Sequence, residues 1–96
     1  MGGATFNISI LGETNPGKKL LSCRADGLVD LLGQDDDSGR RKWSCVAVSE
    51  GLYNIVVAGG TNPGKRLLSC RADGHVDLFG HDDDSGRQKW RFVPVG

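Results

Sequence analysis

Apolar residues occur in short runs separated by turn chemistry, and no window sustains the i, i+3, i+4 spacing of a helix. Phe6, Ile8 and Ile10 alternate with Asn7 and Ser9, so residues 5–11 read as a strand with one apolar face, and residues 53–58 read the same way. Asn-Pro-Gly follows at residues 15–17 and again at 62–64. Proline presets φ for a turn there, glycine takes a positive φ, and Asn can close an Asx turn. A second strand is expected over residues 18–25, then a two-residue hairpin turn at Asp26-Gly27. A third strand covers residues 28–33. A polar loop over residues 35–39 precedes a fourth strand carrying Trp43, Val46 and Val48. Turn signals at this spacing are the all-β pattern.

The pattern is written twice. Residues 14–43 return as residues 61–90, an offset of 61 − 14 = 47, with five differences in the 30 positions. A fixed period marks each half as one supersecondary unit, so a site in one half is a candidate in the other. Four short strands per unit give about eight in all. The expected organisation is one compact pseudo-two-fold domain over residues 1–96, with repeat one at 5–49 and repeat two at 52–96.

Composition narrows the partners. Twelve Lys and Arg balance twelve Asp and Glu. Nucleic acid and anionic membranes reward a basic excess, so neither is expected as a partner, and a neutral small molecule or a protein fits better. No apolar run is long enough for a membrane span. The segment MGGATFN has neither the basic nor the apolar region of a signal peptide, so the expected location is cytoplasmic or reached by non-classical export. Cys23, Cys45 and Cys70 make an odd set without C-x-x-C spacing, which suits a reducing compartment. They read as small buried hydrophobes, with a bridge between the equivalent Cys23 and Cys70 as the alternative.

Repeat two carries Tyr53-x-Ile55, then Gly64-Lys65-x-Leu67, Asp73-Gly74-x-Val76-x-Leu78 and Gln88-x-Trp90-x-Phe92. This order resembles one lobe of a ricin-B-type (QxW) β-trefoil, and in size and cysteine usage the chain is similar to small fungal fruiting-body lectins. Repeat one departs from the pattern, with Arg41 in the Gln position and Cys45 in the Phe position. A trefoil has three lobes and only two are read here. Either the two lobes form a two-fold barrel of their own, or chains associate to cover the open sheet edge, which makes a homodimer the expectation. The resemblance implies carbohydrate binding, most simply of galactosides. Such modules chelate sugar hydroxyls with a carboxylate or amide and cover the sugar's apolar face with an aromatic ring.

The five differences are more informative than the identities. Leu28, Leu32 and Gln34 become His75, Phe79 and His81. Residues two apart on a strand share a face, so His75, Asp77, Phe79 and His81 should line one side of repeat two, while Val76 and Leu78 point into the core. The aromatic face is the candidate sugar platform, and its aliphatic counterpart is a candidate subunit contact. Packing of both faces under a loop is the plainer alternative. The acidic runs Asp35, Asp36, Asp37 and Asp82, Asp83, Asp84, with Arg40 and Arg87 beside them, are candidate hydroxyl ligands. They read equally as solvated acidic turns and, less well, as a divalent-cation loop, since the spacing does not fit an EF-hand. Arg24 with Asp26 and Arg71 with Asp73 suit surface ion pairs, and Trp43 and Trp90 suit the core.

Neither histidine has zinc-ligand company, no serine has a base and an orienting acid, and no glycine motif cradles phosphate. No enzyme and no cofactor is expected. The leading expectation is therefore a small all-β lectin whose repeated shallow sites gain strength by oligomerisation. The competing one is a protein-binding or protease-inhibitor module. Inhibitors present one distinct loop, whereas this chain repeats its loops.

Overall fold

A computed structural model describes residues 4–12, 17–59, 61 and 64–95. It is all-β, with no helix among the described residues. Strands β1 (Leu20–Cys23) and β2 (Val29–Leu32) form an antiparallel hairpin. Strands β3 (Trp43–Ser49), β4 (Leu52–Val57), β5 (Leu67–Cys70) and β6 (Val76–Phe79) form a four-stranded sheet in that order.

Local chemistry places the turns. Arg24 N–H donates to Leu28 C=O at 2.7 Å and Gly27 N–H to Arg24 C=O at 2.9 Å. The hairpin loop therefore spans residues 25–27, one more than Asp-Gly alone predicts. Gly27 closes it at φ 94°, and the Asp26 carboxylate accepts Leu28 N–H at 3.1 Å. This is the three-residue hairpin with a glycine in the left-handed position. Repeat two forms the same loop with Arg71, Asp73, Gly74 and His75. Asn15, Pro16, Asn62 and Pro63, expected in turns, lie outside the described residues. Their glycines, Gly17 and Gly64, have the expected positive φ.

Contacts recur at the 47-residue offset. Leu20 pairs with Leu32 as Leu67 does with Phe79. Phe6 bridges Trp43 as Tyr53 bridges Trp90, and Ser9 bridges Leu20 as Val56 pairs with Leu67. Trp43 Nε1 donates to Leu21 C=O at 3.0 Å and Trp90 Nε1 to Leu68 C=O at 2.9 Å. The β3–β4 hairpin joins the halves, in register from Trp43↔Val57 to Ala47↔Tyr53 with an irregularity after Ala47. Among the described residues six continuous strands form rather than the expected eight. Residues 6–10 and residue 90 make only isolated bridges.

The core cluster draws on both halves: Cys23, Trp43, Ile55, Val57, Leu68 and Leu78, with Ile8, Leu21, Val29 and Trp90 packed against it. Both tryptophans thus serve packing. Leu78 points inward as its strand alternation predicts. Val76 does not follow that expectation and is 42% exposed. β6 meets the first hairpin through the Leu28↔Asp77 bridge, and Val29, the counterpart of Val76, packs against the core. All three cysteines are free thiols. Cys23 is buried, and burial pushes its pKa up. No helix long and apolar enough to cross a membrane is present among the described residues.

Candidate functional site

The acidic loops are built from their own side chains. Asp82 accepts Asp84 N–H at 2.9 Å, Asp83 accepts Ser85 N–H at 3.0 Å, and Ser85 Oγ accepts Arg87 N–H at 3.2 Å. These are successive Asx and ST turns, in which short polar side chains take over backbone pairing. They carry Asp84 into the left-handed region at φ 65°, which Asp tolerates better than most residues. Asp35, Asp36, Asp37 and Ser38 repeat the arrangement, with Asp37 at φ 64°.

The first acid of each loop is committed to the fold. Asn54 Nδ2 donates to Asp82 at 3.0 Å and to Gln88 C=O at 2.9 Å, and Lys89 Nζ reaches Asp82 at 2.9 Å and Asp84 at 3.0 Å. The Asn54 amide, then Lys89 and the Asp84 N–H, hold the Asp82 carboxyl down at about 2. In repeat one Asn7, then Lys42 and the Asp37 N–H, hold Asp35 well below the usual carboxylate range. Asp37 and Asp84 are the outermost, with side chains 90% and 91% exposed.

In repeat two this loop and β6 border a groove of about 260 Å³. It brings together four of the candidate sugar-binding residues read from the sequence: Asp77, Phe79, Asp83 and Arg87. Ser69, Cys70, Arg71, Ala72 and Gln88 complete the lining. Phe79 is 36% exposed, and the His81 ring lies against it at 5.3 Å between centroids and a 41° tilt. His75 stands apart on the hairpin, its Nδ1 3.1 Å from Asp73 and 3.3 Å from Arg71 Nη2. It meets the groove only through Arg71. The carboxylate of Asp73 is held at about 2, chiefly by the backbone and ring of His75 and then by Arg71. Asp82 and Asp84 are not part of the lining and instead share the Lys89 ammonium group.

Repeat one presents a different hollow, about 520 Å³, lined by Gly17, Leu32, Gly33, Gln34, Asp36 and Arg41. Asp35, Asp37 and Arg40 are not in its lining. Arg40 and Arg87 alike offer a backbone C=O to a cysteine N–H, Cys23 at 3.1 Å and Cys70 at 3.2 Å. Among the described residues, no group of three or more His, Cys, Asp or Glu is placed to hold a metal ion.

The least legible residues are the loop anchors. Gln88 is buried, donates from Nε2 to Ser69 Oγ at 2.8 Å and accepts Asp83 N–H at 3.2 Å. Arg41, its counterpart, is also buried and reaches Asp36 at 2.8 Å and Ser38 Oγ at 2.9 Å. Its Nε and the Asp30 Oδ1 are buried without partners. The 41/88 difference was visible in the repeat alignment, and so was the repeated polar pair Asn7/Asn54 facing away from the apolar side. No family model, curated protein or solved structure matches the chain.

Proposed function

We propose that the protein is a carbohydrate-binding module, a lectin for neutral glycans of galactose type. Its two trefoil-like repeats stand about a pseudo-two-fold axis, and a homodimer multiplies the sites. It performs no catalysis and needs no cofactor, nucleic acid or membrane. The observation that carries this reading is the repeat-two groove, whose lining includes one aromatic residue, Phe79, two aspartates, Asp77 and Asp83, and two arginines, Arg71 and Arg87. Phe79 covers the apolar C–H face of a sugar ring. Asp77 and Asp83 accept from adjacent hydroxyls, and Arg71 and Arg87 donate to ring and hydroxyl oxygens. At about 260 Å³ the groove is smaller than the roughly 300–1,000 Å³ of drug-sized ligand pockets, which suits a single ring. One such shallow site binds weakly, near the millimolar Kd that corresponds to roughly −4 kcal/mol, and repetition supplies the avidity.

A glycan array on purified protein, with free galactose and lactose as competitors, tests the proposal. Binding to a set of neutral glycans that free sugar displaces is the expected result. An empty array at high protein concentration overturns it.

A further inference from the structure

Two sheet edges are unpaired among the described residues, and they are the two sides of a contact the molecule already makes once. β4 pairs with β3 along one edge and with residues 90 and 67 along the other. Residues 6–10 reproduce only the second of these, through Phe6↔Trp43 and Ser9↔Leu20. Residues 89–93 are the counterpart of β3, yet only their Tyr53 side is occupied. Phe6 and Trp43 exchange hydrogen bonds at 2.8 and 2.9 Å, Leu21 N–H donates to Ile8 C=O at 2.7 Å, and Ile10 N–H donates to Lys19 C=O at 3.0 Å. Backbone groups alternate sides along an antiparallel strand, so those of Asn7, Ser9 and Leu11 point outward. Trp90 and Tyr53 exchange bonds at 2.8 and 2.9 Å, which by the same rule turns the Lys89 C=O, Arg91 and Val93 outward. Pro94, which has no N–H to donate, falls on the inward set, where it costs the free edge nothing.

We propose that the free edge at residues 89–93 pairs with the free edge at residues 7–11 of a second copy of this chain, in the register β3 and β4 use internally. That register has Ser44↔Val56, Val46↔Asn54 and an Ala58 N–H to Lys42 C=O bond of 2.8 Å. Shifted by one repeat, it sets Arg91 opposite Ser9, Val93 opposite Asn7, and Leu11 N–H on Lys89 C=O. The pairing covers Leu11, Phe92 and Val93, which are 95%, 59% and 68% exposed. It also closes the apolar cavity between Phe6, Ile8, Trp43, Cys45 and Phe92. Zero net charge leaves no long-range repulsion between copies.

A glycine supports the assignment independently. Gly39 and Gly59 approach so closely at the internal junction that a Cβ on Gly59 would lie 2.6 Å from the Gly39 carbonyl carbon. Their counterparts are Gly86 and Gly12. Nothing lies within 4 Å of a Cβ built on Gly12, so a single copy places no steric demand for glycine there. Gly86 of a second copy would supply that demand. Both edges pairing reciprocally close a two-fold dimer, and the interface is head-to-tail at each junction.

Light scattering across a concentration series tests the pairing, with a mass of at least two 10.2 kDa chains expected. Gly12→Val and Val93→Pro, both at exposed positions, should weaken association by roughly tenfold or more while each chain stays folded. Ser9→Cys and Arg91→Cys chains, prepared separately in a Cys45→Ala background, should give a disulfide-linked pair on mixing and not when either is oxidised alone. A 10.2 kDa species at every concentration, or association unchanged by both edge variants, or no mixed disulfide, overturns the proposal. None of these readouts involves sugar, so they fail or succeed separately from the glycan array.

Discussion

In repeat two the acidic loop is tied down by Gln88, a neutral amide that donates to Ser69 and accepts from Asp83. In repeat one the same position holds Arg41, which reaches two partners and leaves a buried Nε unsatisfied. The backbones otherwise follow one plan, down to the φ of Asp37 and Asp84. The comparison separates scaffold from site. The Asx turns, the Asn–Asp–Lys clamp and the Trp-to-carbonyl bond occur in both halves and belong to the fold. The aromatic Phe79 and the satisfied Gln88 occur in one half, and that half holds the compact groove. Position within the molecule adds a second asymmetry. Repeat one's Gly39 packs against Gly59, whereas a Cβ on Gly86 would meet open space.

The largest effect tests shared scaffold in unequal surroundings. Trp43 is fully buried, while Trp90 is only partly so, beside the open edge. Trp43→Ala removes a core side chain at a cost of about 3–5 kcal/mol, comparable to the whole stability of a small domain. Chemical denaturation should find that variant largely unfolded in buffer. Trp90→Ala should retain a cooperative transition at lower denaturant. Equal loss at the two sites would show that the open side is as well packed as the centre.

Anchor exchange comes next. Arg41→Gln gives repeat one the Gln88 arrangement, with the amide able to donate to Ser22 Oγ and accept Asp36 N–H. It removes a buried unsatisfied donor, worth about 1–3 kcal/mol, and forfeits the Arg41–Asp36 ion pair. The net expectation is stabilisation of about 1 kcal/mol, or roughly 4–8 °C in Tm for a domain of this size. A lower Tm would mean that the ion pair outweighs the orphaned Nε. Removing the anchor of repeat two, Gln88→Leu, strands Ser69 Oγ and Asp83 N–H and should destabilise by about 1–3 kcal/mol.

The site itself is tested by exchanging its aromatic residue. An aromatic face contributes about 0.5–1.5 kcal/mol, so Phe79→Leu should weaken glycan binding by about tenfold at most while leaving the fold intact. Leu32→Phe should raise the binding of repeat one by less, because that hollow is lined by one carboxylate, Asp36, where the repeat-two groove has Asp77 and Asp83. Titration of each variant with the best array ligand decides. Unchanged affinity in Phe79→Leu removes the platform role.

The strand pattern was legible because strict alternation and turn residues are local signals. The 47-residue repeat made the equivalences legible as well. Phe79 and Asp77 were readable as candidates because three of the five repeat differences fall on or beside one strand face, and Asp83 and Arg87 because an acidic run with an adjacent arginine stands out in both repeats. What the sequence hid is non-local. The Asn7 amide reaches Asp35 across 28 positions, and no spacing rule foretells that bond. The commitment of Asp35 and Asp82 to the scaffold, and with it the narrowing of the acidic runs to Asp83, depends on those partners. Val76 reads as core by alternation and is 42% exposed, although its counterpart Val29 packs against the core cluster.

The smallest effect concerns the clamp both halves share. Asp82 and Asp73 have folded-state values near 2, below the usual aspartate value of about 3.9, and Asp35 is also lowered. A depressed carboxyl adds stability that is present above its unfolded value and lost as the pH falls through its folded one. Tm should therefore be flat from neutrality down to about pH 4 and decline between about pH 4 and 2. The Asn54 amide is the foremost cause at Asp82, so Asn54→Ala should move that carboxyl back toward its ordinary range and leave Asp35 where it is. Asn7→Ala should do the converse. Carboxyl titration by NMR reads the two sites separately. If either substitution shifts both carboxyls, the clamps are coupled through the shared β3–β4 hairpin. If neither shifts its own, Lys42 and Lys89 hold the loops without help from the amides.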